Sequence, residues 1–440
     1  MSPLVFICLL LLLSMWIIFA KSNKDNALDQ SSYENYYFAN RNLPAILLST
    51  TIIATQVGGG GIIAVANEAY ASGWWGIVYP LGQIIGLIVI ATFFVDRFQH
   101  MKLSTVSEIF TRHYQSPLLR QFASIISTIS LFFILVAQGI AAKKLLLSIG
   151  ITDLWWLSAI WMIVVFYTSF GGFSMVVKTD LVQVGIIVAA LLVLLYFLLE
   201  IPQGHHILNA HSWEPVHGLN AVNTIVWATC FMLIEQDMIQ RYVSAKSSSI
   251  LKKALWGAVI GLTSIAVLPT LIGIYAKKVG VPATESGSIL IQTALTHCPQ
   301  WAYLLVCIGI LMAILSTVDS LMSAISSLVV LDRKETIEKP AAITLTIGVL
   351  ALIGCLYAND IIHTLVFAYG LTASAFFVPV ACAIARIPFS LNAVYTATLA
   401  GIISYIALHL TYSEWNFMAL VVSAICGYIA NLQMKSQKNP

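Results

Sequence analysis

Apolar runs of about 20 residues follow one another along nearly the whole chain, and no other pattern in it constrains the fold so strongly. A helix of that length spans the hydrocarbon core of a bilayer. Lipid offers no partner to backbone N–H and C=O groups, so such runs fold as helices that satisfy their own backbone. About thirteen are legible, near 4–20, 43–70, 75–95, 118–148, 154–170, 174–200, 220–241, 251–276, 299–331, 341–357, 361–385, 392–410 and 415–433. Only 9% of the residues are charged, against about 25% in soluble domains, and 59% are hydrophobic. The expected fold class is therefore an all-α polytopic membrane protein without a sizeable soluble domain.

The joints between runs carry the charge. Eighteen of the 22 basic residues fall on one side if the N-terminus is outside, leaving Lys143, Lys144, Lys277 and Lys278 on the other. Lys and Arg accumulate on the cytoplasmic side, so this predicts an external N-terminus, a cytoplasmic C-terminus and an odd number of spans. Basic residues in short joints do not point to nucleic acid. The first run lacks a basic stretch before it, and Lys21 and Lys24 follow it, so it is expected to be a retained helix and not a cleaved leader. The seven cysteines show no metal-like spacing and no disulfide frame. No nucleotide-binding loop or catalytic triad stands out, and no enzyme activity is expected.

Two interruptions of the apolar pattern carry chemistry. Inside the ninth run stands Ala313-Ile-Leu-Ser316-Thr317-Val-Asp319-Ser320. An acid at the centre of a membrane helix costs about 2.5–3.5 kcal/mol, so residues of this kind mark ion or solute pathways. Hydroxyl and carboxylate oxygens are the hard donors that an alkali cation needs once it sheds its water. The simpler reading is that Ser316 and Thr317 bond back to carbonyls one turn earlier. Inside the second run, Thr55-Gln56-Val57 leads into four glycines, Gly58–Gly61. Each glycine costs a helix interior about 1 kcal/mol relative to alanine. Either the helix breaks and frees carbonyls for a ligand, or the glycines allow close helix packing. The seventh run, 220–241, is also interrupted by polar residues and lies five helices on. An odd number of helices per unit inverts the second unit relative to the first, which places a binding site where the units meet.

Four segments together resemble the sodium/solute symporter family: Ala54–Gly73 (ATQVGGGGIIAVANEAYASG), Gly171–Gln183 (GGFSMVVKTDLVQ), Gln240–Lys246 (QRYVSAK) and Ala313–Ser320 (AILSTVDS). The resemblance implies a LeuT-like fold of two inverted five-helix repeats, with one extra N-terminal and two extra C-terminal helices. It divides the chain into 1–42 (extra helix and cytoplasmic loop), 43–200 (first repeat), 201–390 (second repeat) and 391–440 (two last helices and a short tail). It also implies a sodium site made from the carbonyls of Ala54, Val57 and Ala313 and the hydroxyls of Ser316 and Thr317. Such neutral ligands leave no uncompensated buried carboxylate when the ion departs. Asp180 matches a position on the sodium exit route or at a second cation site, with Lys178 near enough in sequence to neutralise it. Asp319 and Ser320 match positions where some members hold a second ion. For Asp319, proton uptake and a purely structural contact stand as alternatives.

The same resemblance puts the solute beside the break, against Gln56, Gly58 and Gly61. Tyr79 and Phe231 match positions that line or gate the cavity, and ordinary packing is the other reading of Phe231. Thr224, Ala228, Thr229, Glu235 and Gln236 are further candidates on helix seven. In places the chain looks nearest to the high-affinity choline transporter branch, through Ala-Thr-Gln-Val-Gly-Gly-Gly and Cys298-Pro299. Two tryptophans of that branch's cage are replaced by Gln56 and Glu235, which points away from a quaternary ammonium ion. Glu235 either faces a hydrogen-bonding ligand or pairs with Arg241 at the cytoplasmic end.

The expected function is a sodium-coupled symporter that imports a small polar organic solute by alternating access in the plasma (inner) membrane. Sodium is the only metal expected, and there is no other cofactor. Sodium, the solute and membrane lipid are the expected partners, and a monomer suffices. The alternatives are a proton-coupled carrier of the same fold, or a transporter-like sensor that works with a partner chain.

Overall fold

The computed structural model describes residues 33–201, 218–282, 288–332, 339–357 and 362–438, with Leu13 and Ile17. The first apolar run, and with it the expected extra N-terminal helix, otherwise lies outside the described residues. All regular elements among them are helical, and β pairing is confined to an isolated bridge between Leu43 and Ala245. The first elements are α1 (Tyr33–Phe38), α2 (Ala45–Gln56), α3 (Gly59–Ser72), α4 (Val78–Val89), α5 (Val95–Met101), α6 (Glu108–Arg112), α7 (Pro117–Ser148) and α8 (Leu154–Leu199). There follow α9 (Gly218–Ile234), α10 (Gln236–Val243), α11 (Ser248–Lys278), α12 (Ile289–His297) and α13 (Gln300–Leu331). The last are α14 (Pro340–Tyr357), α15 (Ile362–Ala385), α16 (Leu391–Thr411) and α17 (Met418–Lys438).

Seven helices among the described residues are long and apolar enough to cross a membrane, or eight if α9 and α10, bent by 49°, form one span. The thirteen runs counted from sequence are not reproduced one for one, because helices break within runs and continue across the joints between them. The second run is divided into α2 and α3. Its remainder continues without a long loop into the third, so that Gly61–Met101 reads as one stretch. The fifth and sixth runs share α8, interrupted only at Gly172, whose φ of 58° and ψ of −161° are not helical. Glycine is required there twice over: the φ is positive, and a Cβ would stand 2.7 Å from the Tyr36 carbonyl oxygen.

That carbonyl belongs to α1, in a region expected to be loop. Instead α1 is a buried peg. Tyr36 donates its hydroxyl to the Ser169 carbonyl at 2.7 Å and to Thr344 Oγ1 at 3.1 Å. The Tyr37 hydroxyl pairs with Ser326 Oγ at 2.7 Å. The peg thus joins α8, α13 and α14 through aromatic bodies whose polar tips are all satisfied.

Helix α13 is the centre of the bundle. Its apolar window is 78% buried, against 33–56% in the other candidate spans. A helix surrounded by protein can carry hydroxyls and an acid, because they meet other protein groups and not lipid. At its far end Asp332 accepts hydrogen bonds from Thr105 Oγ1 at 2.8 Å, from the Ser107 hydroxyl, and from Arg120 Nη2 at 2.9 Å. Gln236, opening α10, holds the same 102–107 loop by accepting from the Val106 N–H at 2.8 Å. These contacts fix one end of α13 against α7 and α10, and the site lies further along the same helix.

Candidate ion and solute site at a helix break

Helix α2 ends at Gln56 because Val57 (φ −92°, ψ 51°) and Gly58 (φ −63°, ψ 151°) leave helical geometry, and α3 resumes at Gly59. The break is narrower than the glycine run suggested, since Gly59, Gly60 and Gly61 are helical. The last four carbonyls of a helix have no partner within it unless the chain beyond supplies one. Val57 N–H takes up Ile53 O at 2.9 Å, which leaves the next carbonyls, Ala54 and Thr55, for other donors. They are met from α13. Ser316 Oγ lies 3.1 Å from Ala54 O and 3.1 Å from Ala313 O. Thr317 Oγ1 lies 3.5 Å from Thr55 O and 3.3 Å from Ala313 O.

Both sequence readings of the hydroxyl pair therefore hold together: each bonds back along α13 and also reaches across to α2. Three carbonyls and two hydroxyls converge at the C-terminal, electronegative end of a half-helix, which favours a cation. Ala54, Ala313, Ser316 and Thr317 are brought together as expected. Thr55 contributes a carbonyl that sequence reasoning passed over, while Val57 is itself the turn.

The glycines serve the close approach. A Cβ at Gly59 would stand 2.1 Å from Ile314 Cγ1, and one at Gly58 would stand 3.0 Å from Thr317 Oγ1. Gly61 has open space around the same point. Break and close packing, posed as alternatives from sequence, are two uses of one tract.

One turn further along α13 lies a fully buried polar cluster. Thr51 Oγ1 donates to Asp180 Oδ2 at 2.5 Å, and Tyr167 donates to Asp319 Oδ2 at 2.6 Å. Arg241 is buried among them. Its Nη2 stands 2.6 Å from Ser320 Oγ and 3.7 Å from Asp180 Oδ2, and its Nε donates to Thr51 O at 3.1 Å. Nη1 donates to the Asp237 carbonyl at 2.9 Å, and the guanidinium lies over the Phe173 ring. The charge count from sequence had assigned Arg241 to a solvated inner joint. It is 0% exposed, because α10 carries it back into the bundle toward Asp180. Asp180 Oδ1 and both amide atoms of Gln183 have no hydrogen-bond partner among the described residues.

On the other side of the break is a cleft walled by α3, α4 and α11. Gln56, Gly61, Tyr79 and Gln83 line it, facing an apolar wall that includes Leu262 and Pro269. Gln83 Nε2 donates to Gln56 Oε1 at 2.6 Å and approaches the Tyr79 hydroxyl at 3.3 Å. Glu235, in the bend between α9 and α10, shares a hydrogen bond with Gln56, the first of its two sequence readings in place if not in ligand.

Helix seven contributes less than expected. Thr229 donates to the Gly82 carbonyl at 2.9 Å, and Ala228 packs where a Gly82 Cβ would stand. Thr224 bonds back to Asn220 O, and Gln236 is spent on the 102–107 loop. Phe231 is buried and is not among the residues that line the cleft. Gly58 faces Thr317, on the ion side of the break.

With this geometry in hand, comparison with known proteins is decisive about kinship. The model of the sodium:solute symporter family matches residues 36–386. The chain belongs to that family. This symporter is 28% identical over 286 residues to the high-affinity choline transporter 1 of Caenorhabditis elegans, a match covering 62% of the chain and 49% of the relative. It is 23% identical over 429 residues to the sodium/pantothenate symporter of Haemophilus influenzae, covering 90% and 89%. The chain spans about half the length of the curated relatives it matches first. A solved substrate-bound, outward-open sodium-coupled sialic acid symporter superposes with a TM-score of 0.78 at 17% identity, covering 99% of this chain and 97% of that one. The fold is thus the LeuT-like one that the resemblance implied, and it is a transporter's fold, not an enzyme's.

Two residues of this symporter's site escaped sequence reasoning. Gln83 sits among glycine and apolar residues on α4. Gln138 interrupts the apolar stretch Leu131–Ala142 of α7, where an amide costs enough to be a signal on the same grounds as Ser316. The α11 wall carried no signal at all, being built of ordinary apolar residues.

Proposed function

We propose that the protein is a sodium-coupled symporter that imports a small polar organic solute across the plasma membrane by alternating access, with its N-terminus outside and C-terminus inside. The observation that carries this is the convergence of Ser316 and Thr317 on the freed carbonyls of Ala54 and Thr55. A sodium ion bound there, by those oxygens with the Ala313 carbonyl and the turn at Val57, joins the end of α2 to α13. The same turn carries Gln56 and Gly61 into the cleft, so ordering it for the ion also orders it for the solute. Each ligand then binds more tightly in the presence of the other, and by an equal factor. Rocking of one set of helices against the rest exposes both to the inside. Inward sodium movement supplies about 2.3 kcal/mol per charge per 100 mV.

Asp180, Asp319 and Ser320 lie next along α13 and α8, and their role is the exit route for the ion. Arg241 already sets a positive charge against Asp180 and Ser320, which disfavours a second resident cation there. One sodium therefore moves per cycle, and uptake rises with sodium with a Hill coefficient of about 1.

Purified protein in liposomes, given a labelled solute identified by sodium-dependent thermal shift, tests the reading. Uptake should follow an imposed sodium gradient and not an imposed pH gradient. Uptake that persists when potassium replaces sodium would remove the ion assignment, and a cooperative sodium curve would remove the single-ion stoichiometry.

A further inference from the structure

We propose that Gln138 of α7 binds the transported solute, and that the solute meets it with an N–H or O–H donor and not with a carboxylate. The proposal rests on the symporter reading and names the solute class for that same site. Gln138 Oε1 is buried and accepts no hydrogen bond among the described residues. Native proteins leave few buried acceptors in that condition unless something else completes them. The oxygen lies 3.8 Å from the point where a Cβ at Gly58 would stand, and Thr317 Oγ1 lies 3.0 Å from that same point. It therefore faces the non-helical turn between α2 and α3, beside a hydroxyl of the ion site. A glycine at 58 leaves the backbone bare there, and the bare turn is where a solute could touch Gln138 and Thr317 at once.

The chemistry of the surroundings narrows what that solute carries. The polar groups lining the cleft across the turn are the amides of Gln56 and Gln83 and the Tyr79 hydroxyl, and no Lys, Arg or His lines it among the described residues. The buried cation in the neighbourhood, Arg241, has its guanidinium engaged by Thr51, Ser320 and the Asp237 carbonyl. A carboxylate entering here would be stripped of water without a counter-charge and would set its lone pairs against those of Gln138 Oε1. An amide N–H or a hydroxyl would complete that oxygen. Contact with the residue beside Thr317 also gives the solute a direct means of sensing whether the ion is bound.

The test uses the full chain in detergent and in liposomes, with matched neutral and acidic probes: nicotinamide with nicotinate, uracil with orotate, and galactose with galacturonate. A neutral member of a pair should raise the melting temperature in sodium, and its acid should not. Gln138→Leu should weaken that neutral probe about tenfold, as expected for one hydrogen bond, while the sodium concentration that half-stabilises the solute-free protein moves less than about twofold. Gln138→Arg should turn the preference toward the acidic member. Stabilisation by the acids over their neutral partners, or by no neutral probe, overturns the proposal. So does a Gln138→Leu protein whose sodium response shifts and whose probe response does not, since Gln138 would then be an ion ligand. Sodium stabilisation of the solute-free protein is read in the same melts, so a failure of the ion assignment is distinguishable from a failure of this one.

Discussion

Replacing Ser316 and Thr317 together by alanine should raise the sodium concentration for half-maximal uptake by roughly a hundredfold. Each hydroxyl is one of a small set of neutral oxygens, and a bond to a charged partner is worth about 1.5–3 kcal/mol, against 1.4 kcal/mol for each factor of ten. The cost to folding is smaller. In the ion-free protein each hydroxyl makes neutral bonds to carbonyls of α2 and α13, worth about 1 kcal/mol apiece. Melting curves with and without sodium separate the two effects: the double variant should melt slightly lower in potassium and gain almost nothing from sodium. A variant that transports with an unaltered sodium requirement would show that the pair is only a helix-packing contact.

Arg241→Ala should have the larger effect on the folded state. It leaves the Asp180 carboxylate buried without its guanidinium and leaves Ser320 and the Asp237 carbonyl without their donor. Breaking a buried pair by removing one partner costs about 3–5 kcal/mol, a large share of the 5–15 kcal/mol that holds a typical protein together. The expected result is loss of the monodisperse peak on size exclusion after membrane extraction. Removing both charges is much milder, because well-packed apolar substitutes avoid the desolvation penalty altogether. Arg241→Met with Asp180→Leu should therefore recover the peak without recovering uptake. If Arg241→Ala alone melts like the parent protein, the cluster does not hold the bundle together.

The residues that could be found from sequence are those that break a local rule. Four glycines inside an apolar run, and a Ser-Thr pair with an acid in another, are costly where they stand, and the break and the ion site lie there. Gln138 broke the same rule and was passed over because it stood alone. Arg241 could not be placed, since a basic residue near the end of a run looks like a membrane-surface anchor until its acid partner on another helix is known. Thr224 and Thr229 misled in the opposite direction: their hydroxyls are satisfied by backbone carbonyls, a use of threonine that needs no ligand. The wall of the cleft from α11 was invisible because apolar side chains look alike whether they face lipid, a neighbouring helix or a bound molecule. The number of spans was misjudged for a related reason. Hydropathy marks where a chain is apolar, and turns such as those at Val57, Gly172 and Glu235 decide how many separate rods it becomes.

The three glycines around the break are not equally constrained. Any side chain at 58 or 59 collides with α13, whereas one at 61 would project into unfilled space. Descendants of this gene could thus exchange residue 61 freely and acquire new cargo while their ion chemistry stayed intact. Diversification would be permitted on one face of a single helical turn and forbidden on the other.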